Sequence, residues 1–168
     1  MVEKNLDATR EQAWRALLKG HALLVARLDA DLQHEAGMSL TSYDVLVQLS
    51  EAPDRRLPMA ELARAVVYSR SGLTRLVDAL ERRGWVVRER SSTDRRSWFT
   101  VITDDGLAAL ERAWPVHIAG VREHFAAHAD PDQARALGAV FGAVIADLAP
   151  DVEELRHFHP QRSEEPKT

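Results

Sequence analysis

The residues from Pro58 to Ile102 constrain the fold more than any other part of the chain. Pro58 suits the first turn of a helix, where a missing amide hydrogen costs nothing, and Leu62, Ala65 and Val66 supply that helix's buried side as far as Tyr68. Ser69 is placed to cap a second helix whose inner face is Leu73, Leu76, Val77 and Leu80, and Gly84 suits the left-handed backbone of a helix stop. Residues 85–90 (WVVRER) and 98–102 (WFTVI) are rich in β-branched and aromatic side chains, and the seven residues between them, SSTDRRS, are all polar. Helix, tight turn, helix and a hairpin with a charged tip is the layout of a winged helix-turn-helix.

On the N-terminal side, Trp14, Leu17, Leu18, His21, Leu24, Val25, Leu28 and Leu32 recur at spacings of three and four. They predict one long helix over residues 8–33, with Asp7 as its N-cap and Gly37 beyond its end. Thr41 followed by Asp44 resembles a capping box that opens a short helix to about Ser50, and residues 51–57 read as a loop. On the C-terminal side a helical pattern runs from Thr103 to about His128. Asp130, Pro131 and Gln133 then supply an N-cap, a first-turn proline and a capping-box partner for a last helix to Leu148.

The fold class is therefore mostly α with a small β-hairpin. The expected plan is a winged helix-turn-helix domain at residues 41–102, dimerisation helices at 8–33 and 104–148, and a polar tail at 151–168. The last two helices carry apolar stripes, with Leu107, Leu110, Trp114 and Ile118 on one and Leu137, Val140, Phe141 and Val144 on the other. Those stripes are broader than so small a domain buries by itself, and a two-fold interface with a second copy is the usual way to cover them.

The 168 residues carry a net charge of −4, which taken globally argues against a polyanionic partner. The charge is unevenly spread, however. Residues 55–96 hold eleven arginines against five acids, a local +6 that leaves −10 for the rest. Because this excess coincides with the second helix and the hairpin, the predicted partner is double-stranded DNA. With its leucines turned inward, that helix presents Ser71, Thr74, Arg75 and Asp78 outward and Arg70 at its start. Arg75 has the donor fork to read guanine, and Ser69, Ser71 and Thr74 can bond phosphates or bases. At the tip, Asp94 is placed to orient a neighbouring guanidinium, leaving Arg95 or Arg96 to enter a narrow minor groove. A solvated helix face is the bland reading of the same positions, and the chain would then be a helical interaction protein that keeps a winged fold without binding DNA.

Residues 57–106, LPMAELARAVVYSRSGLTRLVDALERRGWVVRERSSTDRRSWFTVITDDG, resemble the MarR family of transcriptional regulators. The likeness rests on ELA, SRSGLTRLVDALE, the DRR of the tip and the ending ITDDG, where Ile102 stands in place of the family's common leucine. It extends more weakly over about residues 8–148. The resemblance implies flanking helices that form a homodimer, two winged domains held below it and a small-molecule pocket between them. It further implies a ligand-responsive repressor on a pseudo-palindromic operator.

Trp14, His21, Tyr43 and Asp44 are the candidates for such a pocket, an aromatic and polar set suited to an aromatic or phenolic effector. Core or interface packing of Trp14 and a first-turn helix acid at Asp44 are the alternatives. His117, His124 and His128 share one helical face at spacings of seven and four. With no cysteine in the chain and any carboxylate ligand left to come from elsewhere, no metal or cofactor is assigned. Neither a nucleophile motif nor a phosphate loop is present, so no enzyme is expected. The charged N-terminus, the lack of an apolar run of about 20 residues and the lack of cysteine point away from the membrane and toward a cytoplasmic protein.

Overall fold

The computed structural model describes residues 6–66, 70–90 and 98–149, with residues 70 and 71 described in backbone only. Helix α1 (Ala8–Ala36) starts at Asp7, whose side chain accepts the Arg10 amide at 2.9 Å, and it stays helical three residues past the predicted end, up to Gly37. Of its residues only Leu28 and Leu32 are buried, so its N-terminal half stands clear of the chain's own core. Helix α2 (Leu40–Glu51) is opened by Ser39 and not by Thr41. The extended backbone at Ser39 lets its Oγ accept the Ser42 amide at 3.1 Å, while Asp29 of α1 accepts the Leu40 amide at 2.8 Å. That register puts Asp44 past the first turn, which removes its capping role.

A turn leads from α2 into β1 (Arg56–Pro58), a strand where a loop and a helix start were expected. It pairs antiparallel with β3 (Trp98–Ile102), and β3 pairs with β2 (Val86–Arg90), so the expected hairpin is part of a three-stranded sheet of order β1, β3, β2. Pro58 is tolerated there because β1 is an edge strand. Helix α3 (Met59–Ala65) follows at once and unwinds at Val66, short of the predicted Tyr68. Helix α4 (Arg70–Arg82) turns Leu73, Val77 and Leu80 into the core. Gly84, at φ 73°, then reverses the chain so that the Trp85 amide reaches the Leu80 carbonyl at 3.0 Å.

Thr103 starts α5 (Asp104–His124) and ties it to the winged domain. Its hydroxyl accepts the Gly106 amide at 3.0 Å and donates to the Gly84 carbonyl at 2.6 Å. A Cβ on Gly106 would overlap the Trp85 carbonyl oxygen and stand 2.8 Å from Ile102 Cγ1, so only glycine lets α5 begin this close to the sheet. The helix ends at His124, earlier than predicted, because Phe125 (φ −122°, ψ −61°) leaves helical geometry and residues 126–128 form a 3-10 turn. Helix α6 (Pro131–Leu148) begins as its sequence indicates. Asp130 accepts the Asp132 and Gln133 amides at 2.9 Å, and the Gln133 side chain accepts the Asp130 amide at 3.0 Å.

The core sits where α2, α3, α4, the inner face of the sheet and the first half of α5 meet, around the fully buried Tyr43, Leu46, Leu62, Leu73 and Val86. In contrast α6 buries none of its residues, and its Leu137, Val140 and Val144 are each more than 40% exposed. Trp14, Leu18 and Leu23 of α1 are exposed to a similar degree.

Candidate nucleic-acid interface

The inner face of α4 is anchored by Leu73, Val77 and Leu80, which fixes what the outer face can show. Thr74 and Arg75 are exposed there, as the sequence indicated, and among the described residues no carboxylate pairs with Arg75. Asp78 is half-buried, and its carboxylate bonds Arg88 of β2 at 2.5 Å. Arg88 also bonds Glu81 at 2.7 Å. The proposed contacts Ser69, Asp94, Arg95 and Arg96 lie outside the described residues, as do the side chains of Arg70 and Ser71.

Several arginines of the basic segment are committed within the fold. Arg83 donates to the Gly37 carbonyl at 2.8 Å while its guanidinium lies 4.0 Å over the Trp85 ring, joining the end of α4 to the end of α1. Arg56 lies 5.1 Å over Phe99 and pairs with Asp54 at 3.2 Å, and Arg90 lies 5.6 Å over Trp98. Reading all eleven arginines as polyanion contacts therefore overstates the interface. Arg88 and Glu81 are the residues the sequence reading missed. The signal was present, since Arg88 shares the core-facing side of β2 with Val86, and an arginine there requires acceptors.

The four pocket candidates separate into two groups. Tyr43 is fully buried, stacks on His117 of α5 with ring centroids 4.5 Å apart, and has a hydroxyl with no hydrogen-bond partner among the described residues. Burial, reinforced by the charges of Asp44 and Glu51, holds that hydroxyl above the usual phenol range. Burial likewise pushes the Asp44 carboxyl up from 3.8 to about 6 and holds His117 below the usual imidazole value. Trp14 and His21, by comparison, are exposed on the first half of α1. They lie about 20 and 10 Å along the axis before Leu28, where α1 enters the core, so a single chain does not gather the four around one cavity.

The histidine face is also divided. His117 turns to Tyr43, His124 approaches Asp31 of α1 at 3.4 Å, and His128 lies beyond the helix end. No group of three potential metal ligands occurs among the described residues, and none of their helices is long and apolar enough to cross a membrane.

Two helices in a helix-turn-helix arrangement, backed by a three-stranded wing and flanked by long helices at both ends, define a winged helix-turn-helix protein. Residues 36–97 match the model of the MarR family. The repressor YetL of Bacillus subtilis is 34% identical over 92 residues, which cover 53% of this chain and 55% of that one. The chain spans about half the length of the curated relatives it matches. Two solved structures are covered almost end to end. Sco3205, a MarR family regulator from Streptomyces coelicolor solved in complex with DNA, is 38% identical with a TM-score of 0.84 over 92% of this chain and 98% of that one. AbsC from the same organism is 34% identical with a TM-score of 0.81 over 87% and 98%. The chain belongs to the MarR family of transcriptional regulators. It is thereby placed among regulators and not among enzymes.

Proposed function

We propose that this protein is a sequence-specific, DNA-binding transcriptional repressor of the cytoplasm that acts as a homodimer on a pseudo-palindromic operator and is released by a small aromatic or phenolic effector. The observation that carries the reading is α4: a helix locked by a buried inner face, with Thr74 and Arg75 exposed on the other side and a wing beside it. That geometry matches the need of a recognition helix, which must be rigid on one side and bonded to base edges on the other. The likeness to a regulator solved with DNA supports it.

The apolar, exposed sides of α1 and α6 support the homodimer, because Trp14, Leu18, Leu137, Val140 and Val144 are left uncovered by the described residues and a second chain would bury them. Two copies then present two recognition helices to half-sites about 10 base pairs apart. The effector reading draws on the buried, stacked pair Tyr43 and His117, whose phenolic hydroxyl has no hydrogen-bond partner among the described residues, and on the half-buried Asp44 next to Tyr43 in the chain. Trp14 and His21 join that site only through the dimer. The reading requires no metal and no cofactor.

Selection of duplexes from a random pool, followed by titration of the enriched sequence against salt, tests the proposal. The expected result is one enriched palindromic sequence whose affinity falls steeply as salt rises, since arginines that contact phosphate release condensed counterions. A pool that stays random after several rounds would return the chain to the alternative, a helical interaction protein with a winged fold.

A further inference from the structure

Arg88 stands in the middle of β2, on the side that Val86 turns into the core, and lies across the ladder from the fully buried Thr100. A guanidinium in that position needs acceptors. It has two, with Nη2 on Asp78 at 2.5 Å and Nη1 on Glu81 at 2.7 Å, from carboxylates three residues apart on one side of α4. The arginine side chain is 23% exposed against 42% and 39% for the acids, so it is the most enclosed member of the trio.

From these contacts we infer that Arg88 is a positioning residue for DNA binding: it clamps the strand leading into the wing tip against the recognition helix, and Asp78 serves this clamp instead of a base. The inference rests on the DNA-binding reading above. The covalent link between α4 and β2 is the short turn at Gly84, which fixes the strand at one end only. Arg88 adds a second tie two residues into β2, about 7 Å beyond its start at Val86. Charge-assisted bonds of this kind hold a fixed geometry better than neutral ones, which suits a tie between two reading elements.

The test is fluorescence anisotropy on the full-length protein with the duplex enriched from the random pool, over a series of salt concentrations. Arg88→Gln is expected to weaken binding about five- to ten-fold at every salt, with the slope of log affinity on log salt unchanged. Arg88→Lys, which keeps the charge and one of the two bonds, recovers part of the loss. Asp78→Asn combined with Glu81→Gln weakens binding by a similar factor although it removes two negative charges, and the triple variant is no weaker than Arg88→Gln alone. A slope that falls by about one unit in Arg88→Gln would mean a direct phosphate contact, and tighter binding by the paired acid variant would mean that the carboxylates only repel DNA. Either result overturns the clamp. Should the wild type enrich no duplex, the DNA-binding reading fails separately, and hydrogen exchange on the free protein still decides the clamp. Amides of β2 and β3 should then exchange faster in Arg88→Gln while α1 and α5 keep their protection, and unchanged exchange in the wing refutes it.

Discussion

Replacing Asp44 by asparagine tests whether the carboxyl in the middle of α2 is held at a cost to stability. Burial raises its pKa from 3.8 to about 6. The folded state therefore keeps a proton that the unfolded chain has already released between those two values, and stability contributed at this site falls as pH rises through that window. Two units correspond to about 3 kcal/mol once both states are ionised, and the partial exposure of the side chain brings the figure nearer to 2 kcal/mol. Asparagine has the same shape and does not titrate, so Asp44→Asn should match the wild type near pH 4 and exceed it by about 2 kcal/mol at pH 7.5, a gain of about 4 to 8 °C in melting temperature. Urea unfolding at pH 4, 5, 6 and 7.5, at one protein concentration because any self-association shifts apparent stability, reads the difference. The other carboxylates are common to both proteins and cancel. Stability curves that run parallel across this range would refute the assignment of a desolvated carboxylate. The functional half of the experiment is operator release by an aromatic anion, which Asp44→Asn should alter if this carboxyl belongs to the effector site and leave unchanged if it does not.

Three further outcomes are expected from the fold and the sequence together. Gly106→Ala drives a methyl group into the Trp85 carbonyl and breaks the Thr103 cap, so it should cost about 3 kcal/mol, visible as a melting temperature lower by about 6 to 12 °C in circular dichroism. Arg75→Ala should lose about 1 to 3 kcal/mol of discrimination between the selected operator and a copy with one guanine replaced, while Arg96→Ala weakens both duplexes alike and lowers the salt slope by about one unit, measured by anisotropy. Val140→Asp with Val144→Asp places charges on the exposed apolar face of α6, and sedimentation at micromolar concentration should turn from dimer to monomer with helix content retained.

The parts of this protein that depend on neighbouring residues were legible in its sequence. The Asp130 and Gln133 capping box, the Asp7 cap, the Gly84 stop, the inward face of α4 and the β-rich character of β2 and β3 all follow from propensity and periodicity over a few residues. The outward position of Thr74 and Arg75 followed directly from that periodicity. What only the tertiary structure decided depends on partners far along the chain. β1 is three residues long and becomes a strand because Arg56, Leu57 and Pro58 meet Val101, Thr100 and Phe99, more than forty residues away. Ser39 took the cap from Thr41 once Asp29 of another helix accepted the next amide, and with that register Asp44 moved from a helix terminus to a desolvated site. His117 reads in sequence as one of three histidines on a face, yet its place is against Tyr43 because α5 crosses α2 there. Asp78 and Arg88 were both visible as charges of opposite sign, but local spacing cannot show that a strand's inward arginine closes on a helix's carboxylates. That pairing depends on how α4 and β2 are folded against each other.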